Sequence, residues 1–176
     1  MTIFEFLRML EKELAKSHIP FAHLDAEVFL SLALKKDRSY VLAHGFDRLS
    51  PACARVARAL LKRRLSHEPI AYIRGSQLFY GRLFAVNRHT LIPRGETELI
   101  IEKLTQKLPH SWSGTFIDVG TGSGALAVTL ACEFSHARVI TIDISPQALA
   151  VARGNALRNH VAKRIKFFHG DLLAPL

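Results

Sequence analysis

Three glycines alternate with small polar residues directly behind an apolar run in the segment TFIDVGTGSGA, residues 115–125. Glycine has no Cβ atom, so it adopts positive φ angles readily and lets a ligand approach the main chain. Gly120 and Gly122 with Ala125 also satisfy the G-x-G-x-x-G/A spacing of dinucleotide-binding turns. The segment therefore predicts a nucleotide-type ligand site rather than a turn without a ligand, and its spacing alone leaves the ligand open.

Acidic residues follow the glycines at informative positions. Asp143 ends the apolar run VITI about 20 residues further on, where the dinucleotide pattern places an acid that binds ribose hydroxyls. Capping of the next helix is the competing role for Asp143, although Ser145 already suits that position. Asp171 is a candidate for contact with a base edge or a simple loop acid, and Asp118 is interpreted as a residue that orders the turn.

Two cofactor classes fit the glycine turn. A pyrophosphate cofactor such as NAD uses a helix N-terminus as its anion site. S-adenosylmethionine has no phosphate and benefits from one more close approach to the main chain, which Gly124 supplies. This motif favours S-adenosylmethionine only modestly, so both cofactors remain candidates at this point.

The turn lies in a region with the pattern of a parallel sheet. Residues 115–119, 138–144 and 165–169 are short runs rich in β-branched or aromatic residues, and two helix-length segments separate them. Such alternation is typical of βαβ units. Ala125 begins an apolar helical stretch, and Ser145 with Pro146 predicts the start of the next helix.

The first part of the chain has a helical period instead. Apolar residues recur at turn spacing from residue 1 to about residue 67, which predicts a small helical bundle. One helix is expected to begin at Asp25 and another at Ser50-Pro51. Lys62-Arg63-Arg64 is interpreted as a solvated helix face. Short runs around Tyr80-Gly81 then predict a hairpin, with Phe79 and Phe84 in its core.

The composition limits the partners. Lys and Arg number 24 against 15 Asp and Glu, giving a net charge of +9, and 49% of the residues are hydrophobic. The charge favours an acidic partner such as RNA, a ribosome-associated surface or a phosphorylated ligand, and it agrees equally well with simple solubility.

Metal, membrane and disulfide roles are not favoured. The nine histidines show no pair at metal-ligand spacing, and no apolar run approaches the ~18 residues of a membrane span. Cys53 and Cys132 each lie in an apolar helical pattern, which predicts buried free thiols in a reducing compartment. We therefore expect a cytoplasmic protein without a membrane anchor or a metal.

Two longer segments carry a family resemblance. Residues 63–98, which include EPIAY and LIPRGETE, precede FIDVGTGSGALAVTLA at residues 116–131, and DAE stands at residues 25–27. With these segments the chain resembles the HemK/PrmC family, the release-factor glutamine methyltransferases, over essentially all of its 176 residues. One departure is Gly95, where that family usually has proline, which implies a less rigid loop.

The resemblance implies an α/β protein in three parts. These are a helical substrate-recognition domain over residues 1–68, a hairpin-like linker over residues 69–95, and a partial S-adenosylmethionine-binding domain over residues 96–176. The last part would hold the first half of a Rossmann-like methyltransferase sheet. The implied reaction transfers a methyl group from S-adenosylmethionine to the side-chain amide of the glutamine in the Gly-Gly-Gln motif of a release factor.

The resemblance also assigns residues. In the cofactor loop it places Gly120, Thr121, Gly122, Ser123 and Gly124. Asp143 matches the acid on the ribose hydroxyls, and Leu172, beside Asp171, falls where some relatives carry an aromatic residue by the adenine. Arg94 and Glu98 are expected to face the target or cofactor pocket, with a local i to i+4 salt bridge as the alternative.

The Asn-Pro-Pro-Tyr motif of that family does not occur in the sequence. In the family, its Asn side chain and a Pro carbonyl position the weakly nucleophilic amide nitrogen. We therefore expect a fragment that holds the methyl donor, is inactive alone, and leaves its first strand uncovered. Two alternatives remain, a nucleic-acid N6-adenine methyltransferase and a binding module without catalysis.

Overall fold

The computed structural model describes all 176 residues. The chain forms two compact units, Met1–Arg74 and Gly75–Leu176. The first unit is helical, and the second contains a hairpin and a three-stranded parallel sheet with its helices. This mixture confirms the predicted α/β class with an N-terminal helical region. The finer division at residues 68 and 95 stays a prediction.

Five helices build the first unit. They are α1 Ile3–Lys16, α2 Ala22–Leu34, α3 Arg38–Ala43, α4 Pro51–Leu65 and α5 Ile70–Arg74. Large apolar side chains such as Phe6, Leu10 and Phe29 are fully buried between them. As predicted, Ser50 is the N-cap of α4, because its hydroxyl accepts the backbone N–H of Cys53 at 3.2 Å.

The predicted start of a helix at Asp25 is wrong. Helix α2 begins at Ala22, and Asp25 lies inside it with a buried carboxylate. That carboxylate accepts a hydrogen bond from Nε of Arg64 on α4 at 2.7 Å. Arg64 is therefore no solvated residue, contrary to the sequence interpretation, because packing of α2 on α4 brings the two charges together.

The hairpin opens the second unit. Strands β1 Ser76–Phe79 and β2 Arg82–Ala85 pair antiparallel. The turn residues Tyr80 and Gly81 both have positive φ angles, 46° and 71°, as the tight two-residue hairpin turn requires. Phe79 and Phe84 are buried with ring centroids 6.0 Å apart, which confirms their predicted place in the hairpin core.

The sheet follows with three parallel strands in the order β3-β4-β5. The bounds are α6 Glu98–Lys107, β3 Thr115–Val119, α7 Ala125–Glu133, β4 Arg138–Asp143, α8 Pro146–Arg158 and β5 Ile165–His169. Ser145 caps α8 as predicted, its hydroxyl accepting the N–H of Ala148 at 3.1 Å. All three strands appear where the β-branched runs predicted them.

One face of the sheet is covered and the other is partly open. On the covered face, Val139 and Ile165 are buried against residues of α7 and α8. On the opposite face of β3, Ile117 is 51% exposed and Val119 is 41% exposed. Strand β3 pairs only with β4, so its other edge has free backbone groups. Both features agree with the expectation of an uncovered first strand.

Cysteine burial, helix length and the grouping of possible metal ligands bear on three further expectations. Cys53 and Cys132 are free thiols, but both are half-buried rather than buried. None of the helices combines the length and apolar character needed to cross a membrane. No three His, Cys, Asp or Glu side chains come together in a way that would hold a metal ion.

Candidate functional site

The glycine loop joins β3 to α7 at the carboxyl edge of the sheet. Gly120, Gly122 and Gly124 have φ angles of 74°, 56° and 77°, which residues with a Cβ atom rarely adopt. The backbone N–H groups of Gly120 and Thr121 donate to the carbonyl of Ile142 on β4, at 2.8 and 3.1 Å. The neighbouring strand therefore fixes the first half of the loop. Because the glycines there have no side chains, the main chain stays open to a ligand.

The three glycines have different surroundings. A Cβ atom added to Gly120 would meet nothing within 4 Å, and one added to Gly122 would approach only two backbone atoms, the nitrogen of Leu91 at 3.9 Å and the oxygen of Gly120 at 4.0 Å. A Cβ on Gly124 would lie 3.0 Å from Cβ of Ala152 on α8. Gly120 and Gly122 thus face open space, whereas Gly124 allows α7 to pack closely on α8.

Asp143 connects the loop to the next helix. Its carboxylate accepts the N–H of Gly122 at 2.8 Å through Oδ2 and the N–H of Ser145 at 2.9 Å through Oδ1. The side chain is buried, and these two bonds compensate the loss of hydration. Each carboxylate oxygen keeps a further lone pair, so Asp143 can also accept from hydroxyls of a ligand.

Asp118 is the second acid beside the loop. Its Oδ2 accepts the hydroxyl of Thr121 at 2.6 Å. Burial raises the pKa of Asp118, and the charge of Asp143 adds to the increase, while the hydrogen bonds of Thr121 and of the Ala127 backbone oppose it. The ionised form of Asp118 is thus held at the loop against a desolvation cost.

Replacing Asp118 with asparagine is expected to stabilise the fold at neutral pH. Because the pKa of Asp118 is higher in the folded state than in the unfolded state, protonation of Asp118 favours folding. This stabilising contribution is complete below the ordinary aspartate pKa and is lost as the pH rises through the raised pKa of the folded state. The gap in melting temperature between variant and wild type should therefore widen from acid to neutral pH. The exposed Asp47→Asn is the control, and equal curves for Asp118→Asn and wild type would refute the expectation.

A cavity of about 180 Å³ opens beside the loop. Residues of the glycine loop form one wall, and the segment that precedes α6 forms another. Asp118 and Phe79 contribute further side chains to its lining. The lining residues from the loop and the facing segment are Gly120, Thr121, Gly122, Ser123, Leu91, Pro93, Arg94 and Thr97.

The structure separates Arg94 from Glu98. Arg94 is exposed and lines the cavity. Glu98 lies at the start of α6, and its Oε1 accepts the backbone N–H of Tyr80 at 2.8 Å. Glu98 therefore anchors the hairpin turn, and the two side chains do not form the salt bridge considered as the alternative.

Asp171 and Leu172 follow the end of β5. Both are exposed, and Leu172 has a positive φ of 45°. They share the carboxyl edge of the sheet with the glycine loop, because β5 is parallel to β4 and His169 pairs with Asp143. Neither residue lines the cavity beside the loop. Their contact with a ligand stays a prediction.

Asn155 on α8 is a residue that the sequence analysis missed. It is fully buried, and its Nδ2 donates to the carbonyls of Ser123 at 2.7 Å and Ala85 at 3.0 Å. Its Oδ1 accepts the N–H of Ala85 at 2.8 Å. One amide therefore joins the hairpin to the glycine loop. A polar residue among the alanines of this helix is the only signal in the sequence.

The geometry defines a class of site. An open parallel sheet presents a glycine turn after one strand and a buried acid at the end of the next, which is where α/β proteins bind nucleotide-type cofactors. The carboxylate can accept hydrogen bonds from ligand hydroxyls, and the open glycines let a ligand approach the main chain. The fold and site are those of an α/β cofactor-binding domain.

Comparisons with known proteins give the family. Residues 5–75 match the PrmC N-terminal domain, and residues 86–176 match the methyltransferase small domain. The chain belongs to the methyltransferases that join these two domains, which confirms the HemK/PrmC resemblance.

Individual relatives agree with this assignment. A release factor glutamine methyltransferase from Moorella thermoacetica is 39% identical over 100% of this chain and 62% of its own length. A bifunctional methyltransferase from Rickettsia felis is 34% identical over 97% of this chain and 37% of its own. The chain thus spans less than two thirds of these relatives.

Among solved structures, an RNA methyltransferase from Salinibacter ruber in complex with S-adenosyl-L-homocysteine is also similar. It is 26% identical to this chain with a TM-score of 0.40, covering 48% of this chain and 52% of its own.

Proposed function

We propose that the cavity beside the glycine loop binds S-adenosylmethionine. The observation that carries this proposal is the Asp143 carboxylate, which holds the open glycine loop and keeps lone pairs for ribose hydroxyls. In this arrangement Gly120 to Ser123 face the ligand, and Asp171 and Leu172 extend the site toward its adenine. Gly124 packs against α8, so family membership, rather than the third glycine, supports S-adenosylmethionine over NAD.

The proposed reaction is methylation of the glutamine amide in the Gly-Gly-Gln motif of a peptide chain release factor, in the cytoplasm. The name of the Moorella thermoacetica relative supports this substrate. Residues 1–68 are proposed to recognise the release factor, and Arg94, at the cavity mouth, to contact the substrate. Glu98 acts in this scheme by fixing the hairpin through Tyr80.

The 176 residues alone are proposed to bind the donor without transferring the methyl group. An amide nitrogen is a poor nucleophile because its lone pair is delocalised, so acceptors must hold its N–H groups and direct it at the sulfonium methyl. The family uses Asn-Pro-Pro-Tyr for this task, and the sequence has no such motif. The open side of β3, with Ile117 and Val119 exposed, supports the same view.

Calorimetric titration tests the cofactor. We expect residues 1–176 to bind S-adenosylmethionine and S-adenosylhomocysteine, with NAD at least about tenfold weaker, a difference of about 1.4 kcal/mol. Gly122→Val is the site variant, because a branched side chain at a φ of 56° is strained and obstructs the loop. Preference for NAD would contradict the proposal.

Methyl transfer is tested separately with labelled S-adenosylmethionine. The acceptors are a release factor, the same factor with Gly-Gly-Ala in place of Gly-Gly-Gln, and RNA or DNA. The relative from Moorella thermoacetica should label only the first, and residues 1–176 should label none. Labelling of the release factor by residues 1–176 would disprove the proposed inactivity, and labelling of nucleic acid would favour the adenine methyltransferase.

A further inference from the structure

The edge of the sheet opposite the glycine loop is rich in cations. Parallel strands begin at the same edge, and here they begin at Thr115, Arg138 and Ile165. A cleft of about 220 Å³ lies at this edge. Its lining includes Arg138, Lys163, Arg164 and Lys166 and no acidic residue. We call these four residues the basic edge.

No acid neutralises the basic edge. The segments that lead into the three strands, residues 108–114, 134–137 and 159–164, contain neither Asp nor Glu. Glu133 precedes the second of these segments, but its carboxylate already accepts Arg82 at 2.9 Å. Like charges gathered without counterions raise the electrostatic energy, which a bound anion lowers.

The four cations differ in their freedom. The guanidinium of Arg164 is held, because it donates to the carbonyl of Phe134 at 3.1 Å and to that of Ala131. Arg138, Lys163 and Lys166 are exposed and take part in no salt bridge. The edge thus combines one fixed charge with three side chains that can adjust to a ligand.

Charge is segregated along the strands. The carboxyl edge carries the acids Asp118, Asp143 and Asp171, whereas the amino edge carries the cations. A polyanion is therefore attracted more strongly to the amino edge than to the carboxyl edge, where the exposed Arg94 lies beside the acids. The two edges can serve two different ligands.

We propose that the basic edge binds the phosphate backbone of RNA. Three exposed histidines, His110, His136 and His160, lie in the same three segments as the cations. Imidazole rings stack on bases and donate hydrogen bonds, and hydroxyl groups contact phosphate oxygens in complexes with nucleic acids. Ser135 is exposed, and its hydroxyl lies 3.1 Å from Nδ1 of the exposed His136. This mixture of planar rings, hydroxyls and cations favours RNA over an acidic polypeptide, which needs only the charges.

The proposal is independent of methyl transfer. RNA at the amino edge is a partner and not the methyl acceptor, since the cofactor cavity lies at the carboxyl edge. The RNA site would account for part of the net positive charge of the chain. Variants that lose RNA binding should still bind S-adenosylmethionine in the calorimetric titration.

Salt-dependent RNA binding tests it, with a fluorescent single-stranded oligouridylate and anisotropy as the readout. The site variant is Arg138→Glu/Lys163→Glu. The matched control is Arg8→Glu/Lys12→Glu, which exchanges one exposed Arg and one exposed Lys on α1 for the same change in net charge. Calorimetry with S-adenosylmethionine checks that both variants are folded.

We expect the site variant to bind RNA at least about tenfold more weakly at low salt, with the control within about threefold of wild type. The slope of log K against log salt should become shallower by about 1.4, since each single-strand phosphate contact contributes about 0.7. If the glutamate variant unfolds, Arg138→Gln/Lys163→Gln replaces it and should also bind RNA more weakly than wild type. Equal losses in site variant and control, absence of RNA binding by wild type, or preference for polyglutamate would each overturn the proposal.

Discussion

Asp143→Ala is expected to reduce S-adenosylmethionine affinity by at least about 100-fold, which corresponds to about 2.7 kcal/mol. The carboxylate holds the Gly122 and Ser145 amides at 2.8 and 2.9 Å, so its removal frees the loop from the start of α8. Hydrogen bonds to a charged group contribute about 1.5–3 kcal/mol each, and we expect a loss of about 3 kcal/mol in the free energy of unfolding.

The measurements are calorimetric titration and urea unfolding of the same preparations. Asp47→Ala is the matched control, because Asp47 is exposed and its side chain makes no hydrogen bond; its stability should change by less than about 0.5 kcal/mol. Asp143→Asn keeps one acceptor and should fold better than the alanine variant while still binding weakly. Wild-type affinity in Asp143→Asn and Asp143→Ala would remove Asp143 from the proposed site.

Asn155→Ala is expected to cost about 4 kcal/mol of stability. It leaves the buried C=O of Ser123 and the N–H and C=O of half-buried Ala85 without their partners. An unpaired buried group costs about 1–3 kcal/mol, and a half-buried one costs less. In a domain with about 5–15 kcal/mol of total stability, this loss is large. The hairpin and the glycine loop should become mobile together.

Hydrogen exchange of the Ala85 amide and urea unfolding measure this effect. Asn159→Ala, at the C-cap of the same helix, is the control, since its side chain makes a single bond of 2.9 Å to the Asn155 carbonyl and is half-buried. We expect that control to lose no more than about 1 kcal/mol. Asn155→Asp keeps the acceptor for the Ala85 N–H and for Arg158, whose Nη2 donates to Oδ1 at 2.6 Å, but it loses both donor bonds. It should therefore also be destabilised, although less than the alanine variant. A change below about 1 kcal/mol for Asn155→Ala would refute the role of this residue as a link.

Local chemistry in the sequence predicts several features of the fold. The strands at residues 115–119 and 165–169 and the caps at Ser50 and Ser145 stand where the sequence places them. A strand's pattern and a capping hydroxyl act over a few residues, so they depend little on the rest of the chain. The same reasoning failed at Asp25, because a partner on another helix, Arg64, keeps this acid inside α2.

The sequence by itself determined the glycine loop, the acid that follows it and the family to which they belong. Only the tertiary structure decided what the individual residues touch. Gly124 packs on Ala152, Glu98 holds the hairpin turn, and Asn155 bonds to Ala85, 70 positions away. Such contacts depend on how whole elements pack, and no local spacing encodes them. The open loop seen as a motif in the sequence is therefore a site built by three distant segments.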